Sequence, residues 1–276
     1  MSYQSMSVSE RQTLPPAVAV STVAFALRPP EGAQCFDAGV NGGGRDPRPT
    51  LWLPLVRRTR RPFDGCWALP GGPIPWNETL VDTALRTLRA AVRRDPGYLE
   101  QLYSFGAVER SAQAQRLVTI AYWALYGEQD LAAAPSPLPS PRDPHDFSDT
   151  AEPAEFDENV AWFSADRLSQ LAFDHAEIVA HALDRLRSKT EYSTAAYRFL
   201  GRSFTLAQLR EVHEAILGET VDAANFRRQA LAQGHLIDTG EQTSGVRHRP
   251  ARLYRFAGTP GIPKITEPPH TQRSTS

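Results

Sequence analysis

The apolar positions along this chain repeat with two periods, and each period marks a different kind of element. Ala17 to Leu27 is apolar and β-branched nearly throughout, which predicts a buried strand. Thr50 to Arg60 alternates and predicts a second strand, ending in a run of Arg57, Arg58, Arg60 and Arg61. Between them Glu31 to Pro49 is Gly-rich and polar, which predicts a loop. Over Thr79 to Arg94 the spacing changes. Leu80, Ala84, Leu88, Ala91 and Val92 recur as they would on one side of a helix. Leu99 to Arg110 and Arg116 to Gly127 return to strand character, the second strongly.

Gly127 to Asn159 has neither period. It is rich in Pro, Ala, Ser and acids, with "AAAPSPLPSPRDP" at its centre, and predicts a long mobile insertion. Order resumes at Val160. Ser164 or Asp166 is placed to cap a short turn, and Asp174 to cap a helix that turns Ile178, Ala182, Leu183 and Leu186 inward.

A second unit begins near Tyr192. Thr205 is placed to cap a helix with Leu206, Leu209, Val212, His213, Ile216 and Leu217 on one side, and Gly218 to end it. Asp222 is placed to cap a second helix that Gly234 ends. Leu236 to Phe256 then predicts two strands joined by a loop bearing Gly and Arg. Helix, short turn, helix and hairpin is the order of a winged helix-turn-helix. The ends, residues 1–14 and 258–276, are polar and predicted to be loose.

Composition narrows the class. The 276 residues are 41% hydrophobic and 22% charged, the balance of a soluble globular chain. No apolar run is long enough to span a bilayer, and the first residues lack the apolar core of a signal peptide. Cys35 and Cys66 have no Cys or His neighbour at metal-ligand spacing, so no metal is expected and a reducing cytoplasm suits the chain. His175 and His181 are six apart and fall on different helix faces, which argues against a zinc pair.

The net charge of −1 excludes a surface that grips nucleic acid everywhere, but the charge divides locally. Asp143 to Glu158 holds seven acids and no Lys or Arg. Asn225 to Phe256 holds six arginines against Asp238 and Glu241. On a wheel of the second helix of the C-terminal unit, Ala223, Phe226 and Ala230 cluster on one side. Asn225 and Arg228 point the other way, with Arg227 and Gln229 flanking. Arg pairs well with guanine and Asn or Gln with adenine in a major groove. Arg247 and Arg249 in the wing loop, and Arg252 after it, suit phosphates or a minor groove. Candidate DNA contacts are therefore Asn225, Arg227, Arg228, Gln229, Arg247, Arg249 and Arg252.

"WALPGGPIPWNETLVDTALRTLRAAVRR", starting at Trp67, resembles the Nudix box, G-x5-E-x7-R-E-U-x-E-E-x-G-U with U aliphatic. Gly72, Glu78, Arg86 and Leu88 fall in register. Thr87, Ala90 and Ala91 stand where the motif has its remaining acids, and Arg93 where it has its later glycine. Carboxylates at i, i+3 and i+4 share a helix face and can hold Mg²⁺ around a pyrophosphate. A face of Thr87, Ala90 and Ala91 cannot do so in that way. Glu78 and Arg86 are read as a structural ion pair.

With the C-terminal unit included, residues from about Val18 to Phe256 resemble the Nudix-related transcriptional regulators of NAD metabolism. The resemblance departs in the acidic insertion and after Phe105, where "GAVERSAQAQRLV" replaces an arginine- and aspartate-containing turn. It implies an α/β chain: a Nudix α/β/α sandwich with a mixed sheet, followed by a small winged helix-turn-helix. The implied division is an effector-binding domain at 15–190, with a disordered insertion at 127–159, and a DNA-binding domain at 191–257. It further implies a homodimeric repressor of NAD biosynthesis or salvage genes that binds double-stranded operator DNA and senses ADP-ribose or a related nucleotide. No cofactor, membrane partner or enzymatic activity is expected. Arg57, Arg58, Trp67, Gly71 and Gly72 are the candidate effector contacts, because arginine forks suit pyrophosphate and a glycine turn lets it approach. Two other readings stay open. One is a Mg²⁺-dependent ADP-ribose pyrophosphatase whose ligands come from Glu78, Glu109 or the Asp143–Glu158 insertion. The other is a DNA-binding regulator without a small-molecule input.

Overall fold

The computed structural model describes residues 14–36, 49–111, 116–135, 157–168, 170–192, 195–244 and 250–258. A mixed sheet forms its centre, in the order β2-β8-β3-β1-β7-β6. The strands on this path are β1 (Ala17–Ala26), β2 (Cys35–Phe36), β3 (Trp52–Arg57), β6 (Tyr98–Phe105), β7 (Leu117–Tyr126) and β8 (Val160–Ser164). β1 runs parallel to β7 over its whole length, from Ala17↔Leu117 to Ala26↔Tyr126. β1 alternates between two cores. Val23 and Phe25 enter one, and Val20, Ala24 and Ala26 the other. A strand covered on both faces has no polar face to show, which is why its sequence is an almost unbroken apolar run.

β1 and β3 pair at Ala26↔Trp52. The segment after the arginine-rich loop occupies the opening beyond. It first pairs with β3 as β4 (Trp67–Ala68), then crosses to pair with β1 as β5 (Gly71–Pro73). The Gly71–Gly72 pair, expected as a turn, is therefore strand. A Cβ on Gly71 would lie 2.2 Å from the Val20 carbonyl oxygen, so the close approach of β5 to β1 requires glycine there. A Cβ on Gly72 would meet nothing within 4 Å.

Helix α1 (Leu80–Val92) covers one face of the sheet, burying Ala84, Leu88, Ala91 and Val92. Its start is fixed by a capping box in which Thr79 accepts from Asp82 N and the Asp82 carboxylate accepts from Thr79 N. It ends where Arg93, at the motif's glycine position, takes the left-handed conformation with φ 62°. Helix α3 (His175–Tyr192) covers the other face with Ile178, Val179, Ala182 and Leu186. The result is an α/β/α sandwich.

Several local expectations change. The predicted loop at Glu31–Pro49 contains β2, which pairs in parallel with β8. Gly127–Asn159 is not loose at its ends: helix α2 (Glu128–Ala132) forms at one and Asp157–Asn159 leads into β8 at the other, while residues 136–156 lie outside the described set. Ser164 and Asp166 both hydrogen-bond the Thr50 hydroxyl, and Ser164 makes no side-chain cap bond. Asp174 stands directly before α3 as expected, its carbonyl accepting from Ile178 N, and its carboxylate pairs with Arg110.

The C-terminal unit has a 3-10 turn (Ala195–Phe199), then helices α4 (Leu206–Leu217) and α5 (Ala223–Ala232) and hairpin β9–β10 (Leu236–Gln242, Arg252–Phe256). Thr205 forms a capping box with Gln208, Gly218 ends α4 at φ 76°, and the Asp222 side chain caps α5 by accepting from Asn225 N. This is a winged helix-turn-helix. Glu214, not anticipated as an interior residue, is buried and accepts from Arg210 and from Val221 N, both at 3.0 Å, tying α4 to the turn before α5. Its core is continuous with that of the sandwich, since one cluster runs from Val23, Trp123 and Leu186 through Phe204, Leu209 and Ile216 to Phe226 and Tyr254. Arg187 on α3 donates to the Ile216 carbonyl at 3.1 Å, satisfying one of the carbonyls left open at the end of α4. Among the described residues no helix is long and apolar enough to cross a membrane.

Candidate functional site

Where β1 and β3 separate, a cavity of about 390 Å³ lies against α1. Arg57, Arg58 and Arg60 supply one wall, Gly71 the floor of β5, and Arg86, Thr87, Ala90 and Ala91 the α1 wall. Asp157, at the end of the acidic stretch, is the acid on this lining. The structure thus joins two of the arginines proposed as effector contacts to the face that departs from the Nudix motif.

The α1 wall does not fit Mg²⁺. Thr87 is buried, and its hydroxyl donates to the Thr83 and Ala84 carbonyls, both 3.0 Å away. Ala90 and Ala91 offer no ligand atom. Glu78 accepts from Arg86 Nε at 2.7 Å and from the Thr83 hydroxyl at 2.9 Å, and these partners hold its carboxyl below the usual range. Its role as an ion-pair partner of Arg86 is as the sequence suggested. Among the described residues no three His, Cys, Asp or Glu side chains come together as a metal site would require.

The arginines are not equivalent. Arg57 Nε donates to the Gly65 carbonyl at 3.4 Å. Arg58 donates to the Pro62 and Arg60 carbonyls at 2.9 and 3.3 Å, and its guanidinium lies 4.7 Å from the centre of the Phe173 ring. Burial lowers its pKa, with Cys66 and Asp64 acting in the opposite sense. The Arg58 head is thereby fixed by its own loop. Arg60, not among the sequence candidates, joins the lining. Trp67 departs from expectation: its ring packs on Phe163 at 5.0 Å and on Phe36 at 5.8 Å, in the core opposite α1. Strand alternation turns Ala68 to the cavity and Trp67 to the other face, while Leu69 belongs to that core and also touches the cavity lining. Gly72 stands beside the cavity and does not line it.

His175 was missed as a structural residue. Its Nδ1 accepts from Leu69 N at 2.9 Å and so fixes β4–β5 to the start of α3. Burial pushes its pKa down to about 4, against a smaller opposite effect of Asp174. Nothing local in the sequence signals this bond, because its partner is 106 residues away.

On α5, Asn225, Arg227, Arg228 and Gln229 are exposed, while Phe226 and Ala230 are buried. Ala223, expected to face inward, is exposed, because the first residue of α5 lies beyond the contact with α4. Phe226 docks edge-on to His213, whose pKa burial lowers. The Arg228 guanidinium donates to Asn225 Oδ1 at 2.7 Å, so the two polar side chains are held together on the outer face. Arg252 pairs with Asp238 across the hairpin at 3.0 Å. Arg247 and Arg249 lie outside the described residues.

A Nudix-type mixed sheet joined to a winged helix-turn-helix defines a class of chain in which a nucleotide-handling fold carries a DNA-binding module. Residues 45–185 match the model of the NUDIX domain, and residues 196–256 that of the NrtR DNA-binding winged helix domain. A curated relative, the ADPR responsive transcriptional repressor NtrR of Acinetobacter baylyi, is 29% identical over 211 residues, 75% of this chain and 76% of its own. The crystal structure of Shewanella oneidensis NrtR is similar with a TM-score of 0.61 and 32% identity, over 87% of this chain and 94% of that one. The same protein complexed with a 27mer DNA gives 0.60 and 30%, over 87% and 93%. A more distant relative, the ADP-ribose pyrophosphatase of Methanocaldococcus jannaschii, is 26% identical over 125 residues, 45% of this chain and 62% of its own. The chain belongs to the NrtR family of Nudix-related transcriptional regulators.

Proposed function

We propose that this chain is a transcriptional repressor of NAD biosynthesis or salvage genes that releases operator DNA when it binds ADP-ribose or a closely related NAD-derived nucleotide. One observation carries the reading: the arginine-lined cavity closes on a helix wall of Thr87, Ala90 and Ala91. Such a site suits a diphosphate through guanidinium groups and lacks the carboxylates that would cleave it. Arg57, Arg60 and Arg86 are the proposed diphosphate contacts. Arg58 and Gly71 shape the cavity, and Trp67 supports it from the opposite face. The protein then holds its signal without consuming it.

Asn225, Arg227, Arg228 and Gln229 enter the major groove in this proposal, and Arg247, Arg249 and Arg252 approach the backbone beside it. The repressor acts as a homodimer, since two-fold operators pair two recognition helices about one helical turn apart. ADP-ribose binds better to an arrangement of the two protomers whose α5 helices miss that spacing, and linkage requires the same ligand to weaken DNA binding. Residues 15–190 form the sensing unit and 191–257 the DNA-binding unit. A duplex recovered by genomic pull-down tests the proposal in a gel-shift assay: a retarded band that ADP-ribose removes is the expected result. A band indifferent to ADP-ribose contradicts the effector assignment, and no band at all contradicts the regulator assignment. The pyrophosphatase alternative has Asp157 on the cavity in its favour. Its test is Mg²⁺-dependent release of AMP from ADP-ribose.

A further inference from the structure

A second cavity of about 500 Å³ opens near the start of α3, between Phe63, Leu117 and Phe173, with Arg110, Asp174 and Glu177 as its polar residues. It shares no lining residue with the arginine cavity on α1. Phe63 and Phe173 both stand in the left-handed backbone region, at φ 66° and 55°. Bulky side chains rarely adopt that conformation, and such strain concentrates at functional sites. Both rings are also partly open to solvent, at 45% and 36% exposure, so burial does not explain the conformation. The backbone instead brings the two rings to 4.7 Å, tilted by 59°, at the edge of the cavity. The Arg58 guanidinium stacks against Phe173.

The polar residues set the ligand's charge. Arg110 donates to the Phe105 carbonyl, to the Thr119 hydroxyl at 3.0 Å and to Asp174 Oδ1 at 2.8 Å. Its positive charge is thus matched within the protein. Glu177 adds an exposed carboxylate. Arg110 is thus already engaged by Asp174, whereas an amino group on a flat ring can donate to the Glu177 carboxylate. Cavities of this volume accept nucleoside-sized molecules.

We propose that this cavity is a second ligand site, for a planar, uncharged, amino-bearing heteroaromatic ring such as a purine base, packed on Phe63 and Phe173 with its amino group toward Glu177. The ring could arrive as a free nucleoside or as the base end of a nucleotide. The site does not depend on the regulator reading, because adenosine without DNA or Mg²⁺ is the probe.

Saturation-transfer NMR and calorimetry with adenosine and the full chain test it. Saturable binding is expected, weakened about tenfold or more by Phe63→Ala, by Phe173→Ala and by Glu177→Lys. Phe173→Gly removes the ring and accepts the positive φ. It is expected to remain folded by circular dichroism while losing adenosine. ADP-ribose distinguishes the sources: competition with adenosine identifies the base end of a nucleotide, and simultaneous binding identifies a free nucleoside. Either supports the site. No saturable binding up to about 10 mM adenosine, or binding that survives Phe173→Gly and Phe63→Ala, overturns it.

Discussion

Gly71 and Gly72 are neighbours with opposite tolerances. A methyl group on Gly71 runs into the backbone of β1, whereas one on Gly72 has open space. Gly71→Ala is expected to cost roughly 2–3 kcal/mol in chemical denaturation, and Gly72→Ala to stay within about 0.5 kcal/mol of the parent. Equal effects would contradict the pairing of β5 with β1. The sequence could show that this glycine pair belonged to a Nudix-like motif. It could not show which glycine met the backbone, since that contact depends on a strand some 50 residues earlier. His175 gives a second residue-scale expectation. Its folded pKa, about 4, lies below the unfolded value of 6.5, so the unfolded chain binds the extra proton between these pH values. Stability should therefore rise with pH across that window and fall on acidification, with an upper limit of roughly 3 kcal/mol. His175→Asn keeps an acceptor without that titration and should flatten the melting temperature between pH 4 and 6.5 relative to the parent. An unchanged slope would contradict the assignment.

Helix limits were the elements most legible in the sequence, because their signals are local. Thr205, Asp222 and Gly218 all act where the sequence placed them. The two-residue strands β2 and β4 were not legible, since nothing but their partners makes them strands. Asp174 stands at the head of α3 as the sequence placed it, but its bond to an arginine 64 residues away was not legible. At the candidate site, the α1 face was readable from spacing alone, while the outward turn of Trp67 depended on the register of β4. For α5, the exposed polar face yields two separable outcomes. Arg228→Ala should cost about 1–3 kcal/mol of operator binding and relax discrimination at one base pair. Arg227 flanks that face and is placed to meet phosphate at the groove edge, so Arg227→Ala should weaken binding evenly across sequences and lower the salt slope by about one. Fluorescence polarisation over a salt series with matched and altered duplexes measures both. Equal loss on every sequence for Arg228→Ala would remove it from base recognition.

Across the whole molecule, the feature of most consequence is the core that runs unbroken from β1 to Tyr254. Two units sharing one apolar cluster, with Arg187 bonded to the end of α4 and Arg28 paired with Glu211, should unfold together. Scanning calorimetry is expected to give one transition with equal calorimetric and van't Hoff enthalpies. Two resolved transitions would show that the winged helix is held more loosely than its packing implies. This core also shapes regulation in the proposed mechanism. With little freedom inside a protomer, the ligand acts on how two protomers are set against each other.

The most direct measurement of the central claim is polarisation of a labelled operator duplex bound to this chain, titrated with ADP-ribose in EDTA and again with Mg²⁺, with the nucleotide recovered and analysed afterwards. The account expects the polarisation to fall to that of free DNA in both series, Arg86→Ala to require far more ADP-ribose, and the nucleotide to return intact. DNA that stays bound at millimolar ADP-ribose, or ADP-ribose recovered as AMP, would contradict it.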